Sequence, residues 1–544
     1  MKKDGLITRR GFVTMSAAAA LAPYAAPLIS GHAEALAQAS DEGTPKSGGS
    51  FVVVISADPS SCNTSLTTSV PESTLGSFIY EGLTRIESDF TAGPNLASSW
   101  TISDDGLVYT FKLAKAKWHD GKDFTSADAK YSLEEVSAKY GSRFKAAASK
   151  IKSIEAPDPE TLVITLTSSY GPMLVSLTAY GGAAMLPKHI FEGTDPLSNP
   201  ASIDKPVGTG PFKMKDWAHG DHITLEKNKD YWREGKPYLD EVILKIIPDG
   251  GTRVLAMKAG EVDYSYFYFF PVSRVAEAKA DPNLQLREKA LPEDKIIIWN
   301  VRKEPFNNPK VRQALYRATN MTYIQQVVYQ KLGKVMVNHM DSRLGWAHDA
   351  SIDLTEKYPF DLKAAAAALD EAGLKPDANG QRMTFRMAFD SADTDYGRIA
   401  QVLANNWGQI GIKLVIDAVP RAVMIERVFK DWDFDGTIQA YSTSGDPALG
   451  VARLYVSDAI VKTPFRNVSG YSNPEVDKLF AEGLAKTDTK ARGEAYKKVS
   501  AILAEDMPVF PMWETAAINV ATTRVHGRWA WSDGYSFWED VWVD

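Results

Sequence analysis

A single cysteine, Cys62, in a chain of 544 residues removes cross-linking from any account of the fold. One thiol closes no intrachain disulfide and builds no thiolate cage for a metal, so packing alone must hold the structure. The residue itself is expected to be a small buried apolar group. At 544 residues the chain outgrows one ordinary core, and two or three lobes are expected. With 44% hydrophobic and 24% charged residues, the composition is that of a water-soluble globular protein. Net charge is −7, the acids are spread along the chain, and there is no Lys/Arg run, which leaves no electrostatic footprint for nucleic acid.

The N-terminus carries an address. In "ITRRGFVTMSAAAALAPYAAPLISGHAEALAQAS", Arg9 and Arg10 precede Phe12 and Val13, then a run of small apolar residues, then a small-x-small cleavage site at Ala35-Leu36-Ala37. This resembles a twin-arginine export signal, implying cleavage near Ala37, residence in the periplasm and passage through the twin-arginine translocase. A membrane-spanning helix fits poorly, because Pro23 and Pro27 interrupt the stretch and no second apolar span follows. Twin-arginine export carries folded proteins and is often used for cofactor proteins, so a cofactor site has to be sought.

Beyond a polar linker, strand and helix patterns are mixed throughout. "GSFVVVISADP" reads as a buried strand ending in a turn, "TSADAKYSLEEV" as a helix capped by Thr125 or Ser126, and "GGTRVLAMKAGEVDYSYFYFF" as a helix stopped at Gly260 and followed by a strand. Further on, "KIIIWNV" and "VFPMW" are strands, "NNPKVRQALYRATN" is a helix beginning at Pro309, and "DLKAAAAALDEAG" is a helix from Asp361 to Gly373. No repeat or low-complexity block appears.

Several segments together resemble the family 5 extracellular solute-binding proteins of ABC importers, a group with dipeptide, oligopeptide and nickel-complex binders. They include "YEGLTRIESDFTAGPNLASSWTISDDGLVYTFKLAKAKWHDGKDFTSADAKYSLEEV", "VGTGPFKMKDWAHGDHITLEKNKDYW", "LAMKAGEVD", "FNNPKVRQALYRATN", "FDLKAAAAALDEAGL" and "GYSNPEVDKLF", in family order. The resemblance implies a two-lobed α/β fold of the periplasmic-binding-protein kind, type II and cluster-C-like, with an extra domain inserted in the first lobe. By analogy lobe I comprises 45–84, 205–295 and 505–544, the extra domain 85–204 and lobe II 296–504. Crossings near Lys295–Asn300 and Met507–Trp513 would be the hinges about which the lobes close on a ligand. A membrane permease complex is the implied partner, with a small peptide as the leading ligand class and an opine, sugar conjugate or metal complex as the alternatives.

"PVGTGPFKMKDWAHGDHITLEKNKDYW" (206–232) tests rival chemistries. A strand, not a helix, follows Gly208-Thr209-Gly210, and Pro211 removes a donor that a phosphate cradle would need. His219 and His222 flank a Gly-Asp turn with no third ligand at metal spacing. The stretch therefore reads as scaffold, with Tyr231 and Trp232 packed beneath the turn. Elsewhere no strand-framed G-x-S-x-G, H-E-x-x-H or dinucleotide fingerprint appears, so neither an enzyme nor a resident cofactor or metal is expected; an exported hydrolase using the same cleft is the rival from another class.

Binding chemistry is better represented. In "DYSYFYFFPVSR", Tyr264, Tyr266, Phe267 and Phe270 are candidate ligand contacts, since rings bury much area with few rotors; on a strand only half of such a run can face a cleft. "DFDGTIQAYSTSGDPALG" supplies hydroxyls at Tyr441, Ser442, Thr443 and Ser444. In peptide-binding relatives an aspartate three residues before the Asp/Glu-Pro pair grips the peptide ammonium, and here that position is Thr443. Leaving a buried ammonium unpaired costs about 3–5 kcal/mol, so either Asp446 or Asp58, with Ser56 beside it, replaces the anion, or the ligand lacks a peptide-like N-terminus. Arg427 is a candidate for anionic groups, and Trp299, Asn300 and Trp513 for contacts from the crossings.

Overall fold

Two long segments, Leu284–Trp299 and Val509–Thr522, pair antiparallel over most of their lengths and organise the rest of the chain. In this computed structural model, residues 43–87, 90–329, 331–391, 393–529 and 537–544 are described; the export signal and its cleavage site lie outside them. The two strands sit at the centre of one large mixed sheet. On one side follow Gly436–Ser442, Met383–Asp390 and Ile412–Val419; on the other follow Tyr264–Ser265, Ser50–Ile55, Glu241–Ile246, His222–Lys227 and Phe212–Ala218. Both central strands run well past the apolar segments that sequence patterning picks out. Their extra residues include Arg287 and Glu288, which hide the period, while backbone pairing from Leu284↔Thr522 to Arg287↔Asn519 holds them in the ladder.

The strand expected through the six rings of 264–270 ends after two residues. Asn519 accepts from the Tyr264 hydroxyl at 3.2 Å and from the Phe267 amide at 3.0 Å, and Phe269 N–H donates back to Tyr266 at 2.8 Å, so the chain turns. The helices match their cap signals. Thr125 and Asp128 form a reciprocal capping box, Asn308 caps Pro309–Arg317, and Asp361 caps Leu362–Glu371, which ends before Gly373 at φ +87°.

Among the described residues, four apolar clusters form the interior. One, around Phe51, Phe78 and Trp538, lies on the half of the large sheet that carries Ser50–Ile55. Two more, around Trp299 with Trp407 and around Tyr455 with Tyr496, cover the other half. The fourth sits on a separate four-stranded antiparallel sheet made of Ala97–Ile102, Val108–Leu113, Thr161–Leu166 and Ile151–Asp158. Cys62 is fully buried, and its thiol donates to the Ile203 carbonyl at 2.9 Å. No described helix is long and apolar enough to cross a membrane.

The glycine-rich stretch at 206–232 is built around a buried carboxylate. Glu81 accepts from Thr209 Oγ1 (3.0 Å), Tyr231 Oη (3.1 Å) and Trp232 Nε1 (2.9 Å). Burial pushes its pKa up, so these donors are what makes the site tolerable. Gly208 and Gly210 both pass against the Ile79 carbonyl, where a Cβ would lie 1.9 Å and 2.6 Å from its oxygen. His219 and His222 bound a hairpin turn with Gly220 at φ +78°. Among the described residues no cluster of three metal-ligating side chains occurs.

Where the two central strands become irregular, between Ala290 and Asp294, an ion cluster fills the kink. Asp294 stands across the ladder from Glu514, both almost fully buried. Arg343 donates to Asp294 Oδ1 and Asp341 Oδ1, at 2.6 Å each, and to the Thr515 carbonyl at 2.8 Å. Ser342 donates to Glu514 through its amide (2.8 Å) and hydroxyl (2.5 Å). Two carboxylates thus share one guanidinium, with Glu514 held beside them by Ser342 and the Tyr455 ring nearby. Burial and then the Asp341 charge raise the Asp294 pKa well above its ordinary value, and burial with Asp341 raises that of Glu514.

Two predictions follow from this packing. Gly208→Ala should destabilise the protein by about 1–3 kcal/mol or more, because backbone must move to admit the methyl group; an unchanged urea midpoint would contradict the close approach. A carboxyl whose folded pKa is raised contributes stability that is complete below its unfolded pKa and is lost as pH rises toward the folded one. Wild type should therefore lose stability through Asp294 as pH rises above the ordinary carboxylate range toward the raised folded pKa, and Asp294→Asn should not. Melting temperatures over that rise should show the variant gaining on wild type by about 2–4 °C; parallel curves would refute the assignment.

Candidate functional site

Beside the irregular part of the central ladder lies a cavity of about 490 Å³, inside the roughly 300–1,000 Å³ range of small-molecule sites. Its walls come from distant parts of the chain. Thr68, Val70, Ser73 and Thr74, and Tyr266 with Tyr268, come from the half of the sheet carrying Ser50–Ile55. Ser142, Arg143, Val175, Ser176, Tyr180 and Gly181 come from the segment built on the four-stranded sheet, and Ser442, Ser444, Leu449 and Arg453 from the other half. Glu293, on the central strand itself, joins them and is the direct ladder partner of Ser442.

Local structure sets each of these groups. The strand Gly436–Ser442 ends in a tight reversal in which Ser444 (φ +53°) and Gly445 (φ +70°) adopt left-handed backbone, with Ser444 N–H donating to Ser442 Oγ at 3.1 Å. A non-glycine residue at such a φ is uncommon, and here it brings a second serine to the cavity. Arg453 is held by donation to the Gly450 (3.0 Å) and Ser442 (3.1 Å) carbonyls, with its guanidinium 5.2 Å from the Tyr441 ring centre. Arg143 donates to the Tyr180 carbonyl at 3.2 Å and stacks on that ring at 4.3 Å. Glu293 has Lys295 Nζ at 3.4 Å. Tyr268 is 54% exposed although its neighbour Tyr266 is 5% exposed, so the ring run presents one open face to the cavity.

Of the residues singled out from sequence, Tyr266, Ser442 and Ser444 line this cavity. Tyr441 and Thr443 border a void of about 10 Å³ next to it. The others serve the scaffold. Asp446 is buried with both oxygens on Arg492 at 2.7 Å and its side chain capping the turn at Ala448, so it does not replace the missing aspartate. Asp58 accepts from Trp217 Nε1 (2.9 Å) and the Gly220 amide (2.6 Å), tying down the 219–222 hairpin, and Ser56 beside it is half-buried away from the cavity. Trp299 stacks on Phe306 in a core, Asn300 donates to the Trp432 and Phe434 carbonyls, and Trp513 stacks on Tyr329 at 4.4 Å. Arg427 pairs with Asp417 at 2.7 Å. Tyr264 and Phe270 lie in the first core, and Phe267 packs against it.

The charged lining was not legible from sequence. Arg143 sits in an ordinary-looking turn of the segment that carries the four-stranded sheet, Arg453 in a short helical stretch after the hydroxyl row, and Glu293 in a polar patch of a strand. Only Tyr268, inside the ring run, carried a signal. Pairing between Glu293 and Ser442 spans about 150 residues of sequence and appears only once the ladder is formed.

Comparison with known proteins agrees with this architecture. The family of bacterial extracellular solute-binding proteins, family 5 Middle, matches residues 91–462. The oligopeptide-binding protein AppA of Bacillus subtilis is 30% identical over 480 residues, covering 86% of each chain. Heme-binding protein A of Haemophilus influenzae is 30% identical over 476 residues, covering 83% of this chain and 84% of its own. The structure of HbpA2 from Haemophilus parasuis superposes with a TM-score of 0.80 at 24% identity, over 91% of this chain and all of the other, which speaks to the fold. With a two-lobed α/β fold and a polar cavity between distant segments, the chain belongs to the family 5 bacterial extracellular solute-binding proteins, the capture components of ABC importers.

Proposed function

We propose that this chain captures a small peptide or peptide-like polar solute in the 490 Å³ cavity and hands it to a membrane permease complex. The observation that carries this reading is the make-up of the cavity. Five serine and two threonine hydroxyls, three tyrosines, a carboxylate and two guanidiniums surround room for a solute of a few residues, which matches zwitterions with polar flanks better than apolar ligands. The relation to an oligopeptide-binding protein supports the same class. Thr443 stands where an ammonium-binding aspartate is expected, and Glu293, across the ladder from Ser442, is the acid that can take over.

In this reading 45–84, 205–295 and 505–544, with 85–204 inserted, form one jaw, and 296–504 forms the other. Contacts from the solute to both jaws shift the population toward a closed form. Closure takes place about the kink at Ala290–Asp294, and the permease reads the closed shape. The N-terminal segment would export the folded chain through the twin-arginine translocase and be removed near Ala37, leaving the receptor in the periplasm. No histidine or cysteine lines the cavity among the described residues, and binding without turnover is what we propose. Opine-type conjugates form the second reading, favoured by the paired hydroxyls of Ser442 and Ser444.

Native mass spectrometry of freshly purified protein should reveal a co-purified solute of peptide mass. A thermal-shift screen should then find that a peptide of a few residues raises the melting temperature by several degrees at saturating concentration. Shifts confined to sugars or haem, or conversion of any added solute, would overturn the reading.

A further inference from the structure

The cavity is positively charged inside a chain of net charge −7. Three of its lining side chains carry charge at neutral pH: Arg143, Arg453 and Glu293. Glu293 already has Lys295 at 3.4 Å. Neither guanidinium has a carboxylate at ion-pair distance among the described residues; their partners are the carbonyls of Tyr180, Gly450 and Ser442. This is unlike the other buried arginines that meet acids, since Arg492 takes both oxygens of Asp446 and Arg343 binds Asp294 and Asp341. It also differs from Arg312, whose three nitrogens all donate to backbone carbonyls. Among the described residues Arg143 Nε and Nη2 and Arg453 Nη1 have no protein acceptor. Both side chains are half-buried, and burial lowers the Arg453 pKa, with the like charge of Arg466 acting in the same direction. Guanidiniums brought partly out of water without an anion are costly to keep unless something supplies one.

We infer that the solute carries two separated carboxylates and a net negative charge, one carboxylate received by Arg143 and the other by Arg453. This rests on the reading of the cavity as the solute site and narrows it from peptides in general to acidic peptides and equivalent dicarboxylates. Arg143 belongs to the inserted segment and Arg453 to the opposite half of the large sheet, so the two cations face one space from different jaws. A dicarboxylate solute makes a charge-assisted contact with each, fitted to the planar fork of an arginine, and so joins the two jaws. Charge selection and closure then have one cause.

The test is isothermal titration of the full mature chain with tripeptides bearing Glu at each position in turn, their Gln counterparts, and Lys counterparts. Wild type should bind the preferred Glu peptide about tenfold or more tightly than its Gln twin, and the preference should weaken with added salt. Arg453→Gln and Arg143→Gln should each bring the Glu/Gln ratio below about threefold, whereas Arg453→Lys should keep part of it. Arg421→Gln, an exposed position outside the cavity, should leave the ratio as in wild type. Equal binding of Glu and Gln peptides by wild type overturns the inference while leaving solute capture intact. Failure of every peptide to bind removes the capture reading for peptides, and this inference with it. Should Arg453→Gln lack a cooperative melt, the wild-type ratio and the Arg143→Gln ratio decide.

Discussion

The backbone ladder between Leu284–Trp299 and Val509–Thr522 is the constraint on which the structure depends. Apolar clusters lie on both sides of it, and the strands carry the chain from one to the other. Regular pairing gives way between Ala290 and Asp294 and again between Lys295 and Ile296. A ladder that loses register locally keeps its two ends rigid and bends between them. The cavity opens beside that place, and Glu293 contributes to it from the strand itself.

Charges in this protein divide by task. Most buried ones are committed to holding the frame: Glu81 anchors the stretch at 206–232, Asp446 and Arg492 lock each other, and Arg343 gathers Asp294 and Asp341 at the kink. Such groups tolerate burial because each has its donors or its counter-charge. The two cavity guanidiniums have carbonyls but no acid, as Arg312 and Arg253 do in the scaffold, and differ from those in lining an open cavity. Scaffold charges are satisfied from within the chain, and cavity charges are left for the solute.

The mixed α/β pattern and most element types were legible in the sequence because capping residues and apolar periods act locally, whereas the two-lobed fold was implied by the family resemblance. Asn308 before Pro309, Asp361 before its alanine run and Gly373 after it each set a helix boundary by their own chemistry. The scaffold reading of 206–232 held for the same reason, although its cause, the buried Glu81, lies over a hundred residues away. The site was less legible. Asp446 and Asp58 had the right chemical type, but long-range partners, Arg492 and the 219–222 hairpin, occupy them. Trp299 and Trp513 lie on the two central strands and face a core there, since strand alternation sends large rings to the packed face. Arg143, Arg453 and Glu293 become neighbours through tertiary pairing, which no local pattern records.

The central claim is that two jaws joined by this ladder draw together when a small solute enters. Small-angle X-ray scattering on the purified protein, with and without a solute whose binding has been confirmed independently, tests it most directly. The account predicts a smaller radius of gyration and a shorter maximum dimension in the bound state. Superimposable profiles at full occupancy would contradict it.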